Sequence, residues 1–141
     1  MTSAAQAISH YLHAVEVGLR SFEEKYGRRD VLRAWHQGDI PQTGRLPGGV
    51  EYELHGVGCR LYFPTFEVDF DFGPHGRSDG FDAWRLNQYT KQFPDQFPEL
   101  QDLRAVEDAL EDLEGDGEIE KPFPNVELYF LRSKNEQNSN I

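Results

Sequence analysis

VEYELHGVGCRLYFPTFEVDFDF, residues 50–72, alternates apolar and polar side chains through three short runs. A period of two is the mark of a strand with one buried face, so VEYELH (50–55), CRLYF (59–63) and EVDFDF (67–72) are expected to form three antiparallel strands. Gly56 and Val57 suit a two-residue hairpin with glycine in its first central position, which sets Glu53 opposite Arg60 and Leu54 opposite Cys59. PTFE fits a longer loop with Pro64 early in a type I turn, setting Leu61 across from Phe70 and Arg60 across from Asp71. Both hairpins keep Tyr52, Leu54, Leu61, Phe63, Val68, Phe70 and Phe72 on one apolar face.

Outward from this sheet the period changes. Upstream, Ile8, Tyr11, Leu12, Val15, Leu19, Phe22 and Tyr26 recur at three- and four-residue spacing, predicting an amphipathic helix over 3–26 that ends near Gly27. Asp30 is placed to cap a short helix over VLRAWHQ, with Gly38 as its stop. Residues 38–49 read as a loop on their glycines and prolines. Downstream, GPHG at 73–76 reads as a turn. Asp79 with Asp82 forms a capping pair for a third helix running to about Phe93 and stopped by Pro94. Leu100, Leu103, Val106, Leu110 and Leu113 make the stripe of a fourth helix, closed by the GDG of 115–117, and VELYFLR at 126–132 reads as a last strand. The expectation is one α+β domain over 1–132 in the order ααβββααβ. Helices one and four lie on the apolar sheet face, and 133–141 forms a flexible tail.

The chain has 141 residues, enough for one core of ordinary size. Its start shows no basic segment followed by an unbroken apolar run, and no later segment has the length and apolarity of a membrane span, so a soluble cytoplasmic protein is expected. Cys59 is the single cysteine; it can form no internal disulfide and no multi-cysteine zinc site, which suits a reducing compartment. The net charge of −11 is concentrated: residues 95–120 hold eleven acids against Arg104 alone. Such a chain is expected to bind neither nucleic acid nor an anionic membrane, both of which call for clustered cationic side chains.

The polar sheet face collects Glu51, Glu53, Glu67, Asp69 and Asp71 beside His55, Arg60 and Tyr62. Carboxylates with a histidine have the chemistry to hold a divalent metal or move protons. Alternating acids are equally the pattern of a half-solvated strand, with Arg60 as their cross-strand partner. Other candidates fail on spacing. A calcium loop counted from Asp69 puts Pro74 at the glycine position, and one counted from Asp71 puts Arg77 at a ligand position; His75 is then a turn residue. Cys59 and His55 fall on opposite sheet faces and cannot form a nucleophile pair. No glycine-rich phosphate loop follows a strand and opens a helix. His10 and His13 lie one turn apart without a third ligand. No metal, cofactor or catalytic residue is assigned.

HGVGCRL (55–61) and VDFDFGPHGRSDGFDAWRL (68–86) together resemble the signature of an uncharacterised bacterial family, a domain of unknown function with HG-x-GC followed by DFDFGP-x-GR-x-DGFD-x-WRL. The resemblance implies a small bacterial α+β domain and supplies no reaction. In size and charge the chain also resembles immunity proteins of bacterial toxin systems. The expected function is an acidic protein-binding module for a basic partner such as a toxin, contacted through Glu107, Asp108, Glu111, Asp112 and Glu114. The alternative is a small enzyme using His55, Arg60, Asp69 and Asp71, with or without a divalent metal.

Overall fold

A computed structural model describes residues 2–73 and 80–131. The expected turn beyond Gly73, with His75, Gly76 and Arg77, the Asp79 half of the capping pair, and the tail at 133–141 lie outside the described residues. The fold is α+β. In chain order its elements are α1 (Ser3–Tyr26), α2 (Val31–His36), β1 (Thr43–Arg45), β2 (Glu51–His55), β3 (Gly58–Tyr62), β4 (Glu67–Asp71), α3 (Ala83–Thr90), α4 (Leu103–Gly115), β5 (Ile119–Glu120) and β6 (Phe130–Leu131).

The four-stranded sheet runs β1-β2-β3-β4, antiparallel throughout. The first hairpin is as expected: Glu53 faces Arg60, Leu54 faces Cys59, and Gly56 turns the chain at φ 54°. Its neighbour Gly58 has a different duty. A Cβ there would sit 2.3 Å from the Phe70 carbonyl oxygen, a backbone atom that cannot swing aside. Gly58→Ala is expected to cost roughly 1–3 kcal/mol in urea unfolding by forcing β3 away from β4. An unchanged midpoint would show that the strands separate freely there.

The second hairpin is shifted by two residues from the expected register. Tyr62 pairs with Glu67, so Leu61 faces Val68 and Arg60 faces Asp69 instead of Asp71. The loop is Phe63, Pro64, Thr65 and Phe66, closed by Phe63 N–H donating to Phe66 O at 2.9 Å. The Phe63 and Phe66 rings stack 4.7 Å apart across it, a contact that a loop of 64–67 would forgo. A slip of two keeps every side chain on its expected face, so the apolar side is unaffected.

Two strands, β1 and β5, were not expected. Thr43–Arg45 adds β1 to the sheet from within the stretch read as loop. The C-terminal strand does not join that sheet: Phe130–Leu131 pairs with Ile119–Glu120 in a separate two-stranded ribbon, and Tyr129 bridges to Phe81. The far edge of the main sheet is already occupied. Tyr11 Oη donates to Asp69 O at 2.6 Å and accepts from Asp69 N–H at 2.8 Å, taking both outward backbone groups of Asp69 as a neighbouring strand would, and Glu67 N–H donates to Gln96 Oε1 at 3.2 Å.

The helix ends follow their caps. Thr2 caps α1 by accepting from Ala5 N–H, and Gly27 ends it at φ 80°. Asp30 caps α2. Asp82 itself is the N-cap of α3, accepting from Arg85 N–H at 2.8 Å, so the helix starts later than a pair led by Asp79 would place it. It also stops at Thr90, since Phe93 precedes Pro94 and is disfavoured in helical conformation. Leu100 lies in a 3₁₀ turn, Pro98–Leu100, before the Asp102 cap of α4.

The core is continuous. Ile8, Tyr11, Leu12, Val15 and Phe22 of α1 are buried, as are Tyr52, Leu54, Cys59, Leu61, Val68 and Phe70 of the sheet. α4 buries Val106, Ala109, Leu110 and Leu113 against α1 and α3, forming a layer behind α1 rather than lying on the sheet itself. Leu103, counted in its stripe from sequence, sits at the first helical position and is exposed.

Candidate functional site

Asp69, in the middle of β4, is one of the buried polar residues of the fold and anchors the polar sheet face. The β3–β4 register brings Arg60 directly opposite, and Arg60 donates to Oδ2 from Nε at 3.2 Å and Nη2 at 3.1 Å. His55, at the end of β2, reaches Oδ1 through Nε2 at 2.9 Å, a contact that places the proton on Nε2. Arg60 also bonds the side chain of Gln92, and its guanidinium lies 5.4 Å from the centre of the Phe93 ring. Side chains from β2 and β3 therefore converge on the β4 carboxylate, and the segment after α3 packs on Arg60.

Burial pushes the Asp69 carboxyl up, by more than the neighbouring His55 and Arg60 charges pull it down. For Arg60 the balance is reversed: burial disfavours its charge, but Asp69, together with Tyr62 and Glu67, outweighs burial and holds the guanidinium protonated more firmly than usual. The acid bears the desolvation and the arginine gains the contact. Donors on both oxygens favour the ionised carboxylate at neutral pH.

Of the residues singled out on this face, His55, Arg60 and Asp69 meet, while Asp71 turns to α3 and ion-pairs with Arg85. Glu53 accepts from the Tyr62 hydroxyl at 3.2 Å, and Glu51 pairs with Arg45. Among the described residues no group of three His, Cys, Asp or Glu is placed to hold a metal ion. Cys59 is buried on the opposite face, where burial drives its thiol far above the ordinary range and disfavours the thiolate. His10 packs on the Phe66 ring, and His13 is exposed. Sequence reasoning missed Gln92, Phe93 and Tyr11 as members of this network. No local pattern marks them, because Tyr11 comes from α1 and Gln92 and Phe93 from the segment after α3, both brought in by tertiary packing.

A shallow groove of about 620 Å³ lies elsewhere, lined by Asp30, Leu32, Arg33, His36, Gln37, Phe72 and Gly73. None of the Asp69 cluster lines it. Glu107, Asp108, Glu111, Asp112 and Glu114 of α4 are all exposed, and none forms an ion pair among the described residues. Next to the end of this helix, Lys121 bonds Glu127 at 2.6 Å. Its pKa is raised by that contact and, from farther off, by Glu114 and Glu111. Phe123 and Val126, on the connection between β5 and β6, are 53% and 51% exposed. No helix among the described residues is long and apolar enough to cross a membrane.

A family model described as Domain of unknown function (DUF6896) matches residues 4–131. No curated protein and no solved structure matches the chain.

Proposed function

The chain belongs to this family of domains of unknown function, and on that footing we propose that it is a protein-binding module whose acidic α4 face receives a basic protein, such as a bacterial toxin that it neutralises by occlusion. The observation that carries the reading is the run of exposed, unpaired carboxylates on α4. Glu107 with Glu111 and Asp108 with Asp112 stand at i,i+4, and each like-charge pair costs the helix about 0.2–0.5 kcal/mol. The acids also crowd the helix C-terminus, where the dipole disfavours negative charge. Folding gains nothing from this arrangement, whereas a complementary negative surface raises the association rate with a cationic partner. Phe123 and Val126, on the connection that follows α4 and β5, add exposed apolar side chains of the kind interfaces use as anchors.

The test replaces Glu107 and Glu111 with glutamine and Asp108 and Asp112 with asparagine. The variant is expected to be more stable by about 1 kcal/mol, through relief of the like-charge pairs and of the dipole conflict. A basic protein captured by the unaltered chain should associate more slowly with the variant, and the difference should shrink as salt rises. Equal association rates at every salt concentration would reduce the acidic helix to a solubilising surface.

A further inference from the structure

The two edges of the main sheet are finished differently. At β4 the outward N–H and C=O of Asp69 are taken by the Tyr11 hydroxyl. At β1 the bonds to β2 fall on alternate residues: Leu54 N–H donates to Gln42 O at 2.8 Å, Leu46 N–H donates to Val50 O at 2.7 Å, and Gly44 between them faces Tyr52. Antiparallel bonding alternates along a strand, so Thr43 and Arg45 turn their N–H and C=O groups away from β2. Of these groups only the Arg45 carbonyl meets a partner among the described residues, the Lys25 ammonium. Thr43 and Arg45 are exposed.

We infer that β1 is a strand-addition edge and that its occupant is a second copy of this chain, paired antiparallel about Gly44. In that arrangement Thr43 lies opposite the second copy's Arg45. Thr43 N–H donates to the Arg45 carbonyl and Arg45 N–H to the Thr43 carbonyl, each exchange made twice by symmetry. The strand is complementary to itself. A threonine faces each arginine, so no like charges are set opposite one another, and each Arg45 keeps its own Glu51 at 2.9 Å. The central residue is a glycine over which the Tyr52 ring lies, and a Cβ there would meet that ring at 2.9 Å; at the central, non-hydrogen-bonded pair two glycines set no side chains against each other. The Lys25 contact is compatible, since a carbonyl oxygen accepts two hydrogen bonds.

A contact of three residues a side makes a weak dimer, and two chains of net charge −11 repel each other. Association is therefore expected to tighten as salt rises, opposite to the salt effect expected for a basic partner on α4. The test is sedimentation equilibrium of the full chain from about 10 μM to about 1 mM at low and high salt, a span in which weak self-association becomes visible. A reversible monomer–dimer equilibrium is expected. Thr43→Lys sets a lysine against the second copy's Arg45 at both symmetric positions and should weaken the dimer about tenfold. Within its own chain the new lysine faces Glu53, so folding is not at risk. Thr43→Pro removes an outward N–H without touching the bonds to β2, and should weaken the dimer as well. A chain that stays monomeric throughout, a dimer indifferent to both variants, or one that loosens as salt rises would overturn the inference.

Discussion

Tyr11→Phe is expected to lower the unfolding free energy by roughly 2–4 kcal/mol, which for a chain of this size is a fall of about 10 °C in Tm. The substitution keeps the ring and its edge-on contact with Phe97 at 5.3 Å, and removes only the hydroxyl. That hydroxyl is the partner of both outward backbone groups of Asp69, at a residue only 1% exposed, where water cannot take its place. Burial also drives the phenol well above its ordinary pKa, so it stays protonated as a donor throughout the working range. Urea or thermal unfolding measures the loss. A cost below about 1 kcal/mol would mean that solvent reaches the β4 edge once the oxygen is gone.

Asp69→Ala should cost somewhat less, about 2–3 kcal/mol. Breaking a fully buried ion pair costs more, but the Arg60 and His55 side chains are 27% and 48% exposed and water can take over part of what the carboxylate gave them. The pH dependence carries a definite sign. Because burial raises the Asp69 pKa in the folded state, its contribution to stability is fully present below the ordinary carboxylate value and is lost as pH rises through the raised one. Asp69→Asn, neutral at every pH, should remove that descending segment from a stability profile taken from acid to neutral pH while costing less than alanine. A profile identical to that of the unaltered chain would place the titration on another group.

Much of the fold could be read because its strongest patterns are local. The period-two runs, the glycine hairpin and the stripe of α1 each fit inside one element, and each side chain's face was settled by them. What could not be read depended on contacts between elements. The stacking of Phe63 on Phe66 sets the second register, yet alternation alone is indifferent to a slip of two. β1 is three residues including a glycine, too short to show a period, and its identity as a strand comes from its partner β2. β6 was visible as an apolar run, but its partner β5, only two residues long, was not. For the polar face the pattern marked His55, Arg60 and Asp69 but equally Asp71, and only the register separated them. Glycines that look like flexible punctuation in HGVGC are distinct in three dimensions, one turning the chain and one making room for a carbonyl.

The packing of α1 also has a consequence for synthesis. Its buried face is covered by the sheet and by α4, and the first residue of α4 lies 77 positions beyond the last residue of α1, from Tyr26 to Leu103. At about 5–20 residues per second, α1 waits roughly 4–15 s for α4 to be synthesised. During that interval Ile8, Leu12, Val15 and Phe22 form an unshielded apolar stripe on a nascent chain. The element most regular in sequence is thus one that is covered late on the side α4 fills.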